Sequence, residues 1–346
     1  MKKIIYLITL ATLASCNSKL APVAENAIKP TVTTQATPHD TDDPAIWMNK
    51  QNPSQSLIIG TDKEGETGGL YAYDLQGKIV NKFYPMDRPN NVDIAYNFNL
   101  NGKNTDIAVT TERQKNKIRV FTLPDLKPID NGGIEVFADS EFKDPMGIAL
   151  YTNTNGKIYA IVGRKNGPSN EYLYQYELIE NNGNVTANLV RKFGTYSGVK
   201  EIEAIAVDNE LGFIYYSDET VGIKKYHADP EKGNQELAFF GQNDFKRDHE
   251  GIAIYKTNEK EGYILVSDQQ ANNFIVYKRE GNQNPHDHKM IAKIPVSTIE
   301  CDGADAVNFN FGAPFEKGIF VAMSNGMVFQ MYDWNLIQTE IDKQSK

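Results

Sequence analysis

A five-residue pattern returns six times along the chain: a polar residue, a small one, then alternating small and apolar positions. The copies are Asp43-Pro44-Ala45-Ile46-Trp47, Asn91-Val92-Asp93-Ile94-Ala95, Met146-Gly147-Ile148-Ala149-Leu150, Glu203-Ala204-Ile205-Ala206-Val207, Glu250-Gly251-Ile252-Ala253-Ile254 and Asp302-Gly303-Ala304-Asp305-Ala306. Met146 breaks the polar position and Val92 the small one. The first residues lie 48, 55, 57, 47 and 52 positions apart. Most copies are followed by a strand-like apolar run, such as Leu57-Ile58-Ile59-Gly60 or Tyr263-Ile264-Leu265-Val266. A third run then ends in an aromatic, as in Tyr172-Leu173-Tyr174-Gln175-Tyr176, and weaker fourth runs follow, such as 79–84 and 236–240. No convincing amphipathic helix separates them.

Four short strands repeated about every 50 residues are the mark of a β-propeller blade. The chain is therefore expected to be all-β, a six-bladed propeller with four antiparallel strands per blade, occupying 39–340. A large β-sandwich is the alternative, but it leaves the period unexplained. Ahead of the propeller, Lys2 and Lys3 precede a short apolar stretch that ends in Leu13-Ala14-Ser15-Cys16. Residues 1–15 read as an export signal, and the junction resembles a bacterial lipobox with Cys16 as the lipidated residue. Residues 16–38 read as a polar tether and 341–346 as a tail. The expected location is the bacterial cell envelope or the outside, with the membrane reached only through the lipid.

Composition narrows the chemistry. The 346 residues carry 36 basic and 45 acidic side chains, a net charge of −9, which argues against a general nucleic-acid binder. Two cysteines, Cys16 and Cys301, exclude a disulfide scaffold and cysteine-rich zinc sites. Tyr (18), Phe (16) and Gly (26) are abundant, as β-rich chains require.

In a propeller the first strands line a central channel, so the leading residues Asp43, Asn91, Met146, Glu203, Glu250 and Asp302 converge on one mouth. Four are carboxylates, and Glu219 and Asp248 lie close by, with Asp40 and Asp42 beside the first copy. Converging carboxylates repel unless a cation neutralises them, and numerous oxygen-only ligands select calcium over zinc or copper. Lys63, Arg113 and Arg164 follow the second strands of the first three blades and suggest an anion-binding patch. Metal and cations together suit a polyanionic phosphoester, attacked by metal-activated water. No Walker-type loop occurs, and the histidines (His39, His227, His249, His286, His288) include no Arg-His-Gly motif. Strand alternation turns His249 away from Asp248 and Glu250.

The segments Asp40-Thr41-Asp42-Asp43-Pro44-Ala45-Ile46-Trp47, Asn90-Asn91-Val92-Asp93-Ile94, Leu100-Asn101-Gly102-Lys103, Tyr174-Gln175-Tyr176-Glu177-Leu178, Arg247-Asp248-His249-Glu250-Gly251 and Gly318-Ile319-Phe320-Val321-Ala322 resemble the β-propeller phytases, up to the closing Trp334. That resemblance implies calcium-dependent release of phosphate from myo-inositol hexakisphosphate, of the 3-phytase type, with both structural and catalytic calcium ions. It implies that Glu203, Glu219, Asp248, Glu250 and Asp302 hold the catalytic ions and their water, joined by Asp43. It implies that Lys63, Arg113 and Arg164 grip substrate phosphates.

Four departures accompany it. Met146 stands where the family usually has Tyr, and Glu64 where a second Lys is common. Ser324-Asn325 replaces a family Asp that bears on one structural calcium, and Glu300-Cys301-Asp302-Gly303 lacks the usual Asp/Thr-rich run. The competing readings are a calcium-dependent propeller lactonase, which would recruit fewer cations around a neutral substrate, and a surface propeller that binds without turnover. Activity is expected at neutral or mildly alkaline pH. The protein is expected to be a monomer, because propellers leave only short sheet edges.

Overall fold

The second and third strands of each blade are apolar on both faces rather than alternating, because each blade is sandwiched between two others. Leu57–Asp62, Gly68–Tyr73, Ile158–Arg164 and Ile319–Ser324 are buried at every residue, whereas the outer strand Ile79–Met86 alternates toward solvent. A computed structural model describes residues 20–345 and arranges these strands as six antiparallel sheets. The six first strands, from blade 1 to blade 6, are Thr41–Trp47, Pro89–Leu100, Pro145–Thr152, Ile205–Asp208, His249–Lys256 and Ala304–Val307. A six-bladed propeller is the result, with six apolar clusters lying between successive blades.

The small residues of the repeated pattern have a steric cause. A Cβ on Gly147 would lie 1.9 Å from the Glu203 carbonyl oxygen, and one on Gly303 would lie 2.6 Å from the Asp43 Cα. First strands touch one another across the blade boundary, and only glycine leaves room there.

Blade 6 takes its fourth strand from the other end of the chain. Val32–Thr33 pairs antiparallel with Gln330 and Met331 of Val328–Asp333, closing the ring. The stretch expected as a tether is therefore a strap from Ala21 onward. The Ala21 amide donates to the Gln270 carbonyl at 2.9 Å, Ile28 pairs in parallel with Val296, and Thr37 N donates to Met327 O at 3.0 Å. At the far end, the helix Trp334–Gln344 buries Trp334, Ile337 and Ile341. The Trp334 ring stacks on Tyr255. The expected tail at 341–346 thus begins inside a packed helix. No helix among the described residues is long and apolar enough to cross a membrane.

One polar device repeats around the mouth. The last residue of each second strand holds the loop that enters its own blade. Asp62 accepts from Asp40 N (3.1 Å), Glu112 from Asp87 N (2.9 Å), Asp218 from Ser197 N (2.9 Å), Asp268 from Lys246 N (3.0 Å) and Ser324 from Ile299 N (3.1 Å). In blade 3 the residue is Arg164, and the polarity inverts: its Nη1 donates to Phe142 O at 3.0 Å.

Candidate active site

Backbone hydrogen bonds define six equivalent positions just after the second strands. The amides of Lys63, Arg113, Lys165, Glu219, Gln269 and Asn325 donate to the carbonyls of Asp40, Arg88, Asp144, Glu201, Asp248 and Ile299. Strand register defines a second ring. Pro44 faces Gly60, Val92 faces Thr110, Ile148 faces Val162, Ile205 faces Tyr216, Ile252 faces Val266 and Ala304 faces Ala322. Two residues before each lie Asp42, Asn90, Met146, Glu203, Glu250 and Asp302. Both rings sit at the mouth: the first is cationic on blades 1–3 through Lys63, Arg113 and Lys165, and the second places carboxylates on blades 1, 4, 5 and 6.

The register corrects two expectations. In blades 1 and 2 the mouth residues are Asp42 and Asn90, one position earlier than Asp43 and Asn91. A one-residue slip sends a side chain to the other face. Asp43 instead spends Oδ2 on the Val92 amide of the next blade at 3.1 Å. Arg164 likewise belongs to the clamp, and its place in the cationic ring falls to Lys165. Arg164 is fully buried, bonded to Ser140 Oγ, Phe142 O and Glu171 O, and stacked over Phe137 and Tyr174. It has no access to a substrate. Cys16 lies outside the described residues.

Lys63, Glu203, Glu219, Asp248, Glu250 and Asp302 come together in one network. Lys63 Nζ bridges Asp42 Oδ1 (2.9 Å) and Asp302 Oδ2 (2.6 Å). Asn90 Nδ2 joins Asp42 Oδ2 (2.9 Å) to Glu203 Oε1 (3.2 Å). Gln269 Nε2 joins Glu250 Oε2 (3.0 Å) to Asp302 Oδ1 (2.7 Å), and Gln270 Nε2 bonds Asp248 Oδ2 at 2.7 Å. Lys200 Nζ reaches Glu219, Asp248 and Glu250, and Lys165 pairs with Glu201. Arg113 is half-buried in the turn Arg113–Lys115. Glu64 is exposed, with Oε1 bonded to the Gly65 amide, and adds no positive charge to the patch. His249 points away as expected, its Nδ1 on Ser217 Oγ, and burial lowers its pKa to about 4.

This is a site short of positive charge. Burial, then Asp42, pushes the Glu203 pKa well up, and burial, then Asp302, does the same to Glu250. Burial raises Glu219 to about 7 even though Lys200 opposes it. Burial works against the charge on Lys63, but Asp42 and Asp302 outweigh it and hold the ammonium protonated. Glu201, Glu203 and Glu219 offer ligand oxygens within 4.8 Å of one another, and buried Glu219 Oε1 accepts no hydrogen bond. Hard, under-bonded oxygens that only a nearby positive charge would keep ionised fit a cation that takes oxygen ligands.

The raised acids predict a pH effect. The folded state holds the Glu219 proton up to about 7, against a usual value of 4.5. The stability this contributes is complete below the unfolded pKa and lost as pH rises through the folded one. In chelator, the melting temperature is expected to fall between those pH values, and calcium should restore it. A chelated protein equally stable at both ends would contradict this reading of the cluster.

Sequence reasoning placed Asp42 only beside the first copy, and missed Lys165, Lys200, Glu201 and Gln269. Lys165 was the most accessible of these, because moving the end of one strand by a residue aligns it with Lys63 and Arg113.

Comparison with known proteins agrees with this geometry. The family model for phytase matches residues 4–342. The 3-phytase of Bacillus subtilis (strain 168) is 31% identical over 324 residues, spanning 86% of this chain and 80% of that protein. Among solved structures, the calcium-binding protein regucalcin from Agrobacterium tumefaciens str. C58 superposes with a TM-score of 0.52 at 9% identity. It covers 88% of this chain and 94% of its own, a likeness of fold alone. The match over nearly the whole chain, together with the identity to the Bacillus enzyme, establishes that the chain belongs to the phytase family.

Proposed function

We propose that the protein hydrolyses phosphate monoesters of myo-inositol hexakisphosphate, using calcium held by Glu203, Glu219, Asp248, Glu250 and Asp302, with Asp42 and Glu201 beside them. The observation that carries this reading is the mixed charge of the mouth. A cluster of largely buried carboxylates on blades 4, 5 and 6, joined by Asp42, shares the mouth with Lys63, Arg113 and Lys165 on blades 1–3. Calcium bound there would polarise a phosphoryl oxygen and lower the pKa of a bound water. The chain's own groups do the rest. Arg113 and Lys165 orient neighbouring phosphates, Gln269 fixes Glu250 against Asp302, and Asn90 fixes Asp42 against Glu203. The cationic patch at the mouth suits a polyanion and has no task with a neutral lactone.

The protein is further proposed to act as a monomer, exported and lipid-anchored through Cys16. Among the described residues, Ala21 is the first bonded to the propeller, at the mouth side of blade 5. Five residues of chain span at most about 18 Å, so a lipid on Cys16 would keep the mouth close to the membrane.

The test is phosphate release by protein lacking residues 1–16. Release from phytate should require calcium, stop in excess chelator, and far exceed release from p-nitrophenyl phosphate. Calcium-independent release, or none, would overturn the proposal.

A further inference from the structure

Lys200 stands where a metal ion would stand. Its Nζ lies 2.5 Å from Glu219 Oε2, 3.1 Å from Asp248 Oδ2 and 3.5 Å from Glu250 Oε1, three carboxylates from two blades. The backbone that delivers it is pinned. Ser197 N and Oγ bond Asp218, Val199 N bonds Ser197 Oγ, and the Tyr196 hydroxyl donates to the Lys200 carbonyl. The side chain is not pinned to the same degree, being 33% exposed at the mouth while Glu219 is fully buried. A flexible four-carbon stem can move its head into solvent with no change of backbone.

An ammonium and a divalent ion cannot share these oxygens. Calcium needs oxygen ligands at about 2.3–2.6 Å, the space the Lys200 head occupies, and two cations so close would repel. We propose that Lys200 is an internal counter-cation: it neutralises the carboxylate site in the metal-free protein, is displaced when calcium binds, and then offers its charge to a substrate phosphate at the mouth. This rests on the reading that these carboxylates hold calcium. Calcium affinity is then set partly within the chain. The apparent dissociation constant exceeds the intrinsic one by the inverse of the fraction of molecules with the lysine out. Lys63 has no such freedom, since it is only 16% exposed and bridges Asp42 and Asp302 from the opposite half.

Calcium titration by calorimetry on wild type, Lys200→Met and Lys200→Arg tests the proposal. Methionine keeps the stem and removes the charge. It is expected to bind calcium about tenfold more tightly while its metal-free melting temperature falls. Arginine should stay near wild type. At saturating calcium, Lys200→Met should raise KM for phytate severalfold with kcat unchanged. Calcium affinity that is unchanged or weaker in Lys200→Met overturns the counter-cation role, and an unchanged KM overturns the substrate role. Wild type that binds no calcium would instead sink the metal reading itself, which separates the two failures.

Discussion

Glu250→Gln is expected to lower calcium-dependent phosphate release from phytate by about a hundredfold or more while leaving the protein folded. An amide has nearly the shape of a carboxylate but carries no charge, and ligand and ligand-supporting changes at metal sites cost about 10–100-fold or more in affinity or activity. The same substitution should raise the melting temperature in chelator. Without metal, Glu250 is a buried acid facing Asp302, and its pKa is pushed well up by burial and by that neighbour. Neutralising it removes a repulsion that Lys200, 3.5 Å away, offsets only in part. Higher stability without calcium, together with lost activity with calcium, is a pairing that a merely structural Glu250 would not produce. Glu203→Gln should behave alike, since its acid is destabilised by burial and by Asp42. Asp43→Asn is the contrast. Its side-chain oxygen can still accept the Val92 amide, so activity should stay within a fewfold of wild type. A collapse of activity in Asp43→Asn would return that residue to the ligand set.

What could be read without coordinates was whatever the repetition forced. The six small-residue motifs had to exist because first strands touch, as the Gly147–Glu203 approach makes plain, and their period alone yields the blade count. Acids led the same four motifs at Glu203, Glu250, Asp302 and, one residue off, Asp42, because equivalent positions converge on the channel. Register within a motif was harder. In blades 1 and 2 two polar residues stand side by side, Asp42-Asp43 and Asn90-Asn91, and composition cannot say which one faces the mouth. The bulges between Thr41 and Pro44 and between Pro89 and Val92 decide it. Non-local contacts left no trace at all. Val32–Thr33 is too short and polar to announce itself as a strand, yet it closes the ring. Lys200 sits in an irregular loop whose course depends on Asp218.

Arg164 and Lys165 offer the sharpest separation of structure from function, because they are adjacent and oppositely placed. Arg164→Ala is expected to destabilise the protein by about 3–5 kcal/mol, since it empties a buried site and strands polar partners, each worth about 1–3 kcal/mol when left unsatisfied. Phe142 O and Glu171 O lose the donor Arg164 gives them, Ser140 Oγ loses one of its two, and the Phe137 and Tyr174 rings lose the cation packed over both. Arg164→Lys should recover only part of this, because one ammonium cannot serve three acceptors in the geometry of a planar fork. Any Arg164 variant that stays folded should keep KM for phytate, as the guanidinium never meets solvent. Lys165→Ala should do the reverse. Its side chain is 35% exposed and its ion pair with Glu201 lies at the mouth, so stability should change by less than about 1 kcal/mol while KM rises. Denaturant unfolding and steady-state kinetics on the two variants distinguish these outcomes. A raised KM in stable Arg164→Ala, with none in Lys165→Ala, would restore Arg164 to the substrate patch and show that the one-residue shift in blade 3 was drawn wrongly. The expected result instead makes Arg164 the donor version of a clamp that Asp62, Glu112, Asp218, Asp268 and Ser324 perform as acceptors, and leaves the anion patch to Lys63, Arg113 and Lys165.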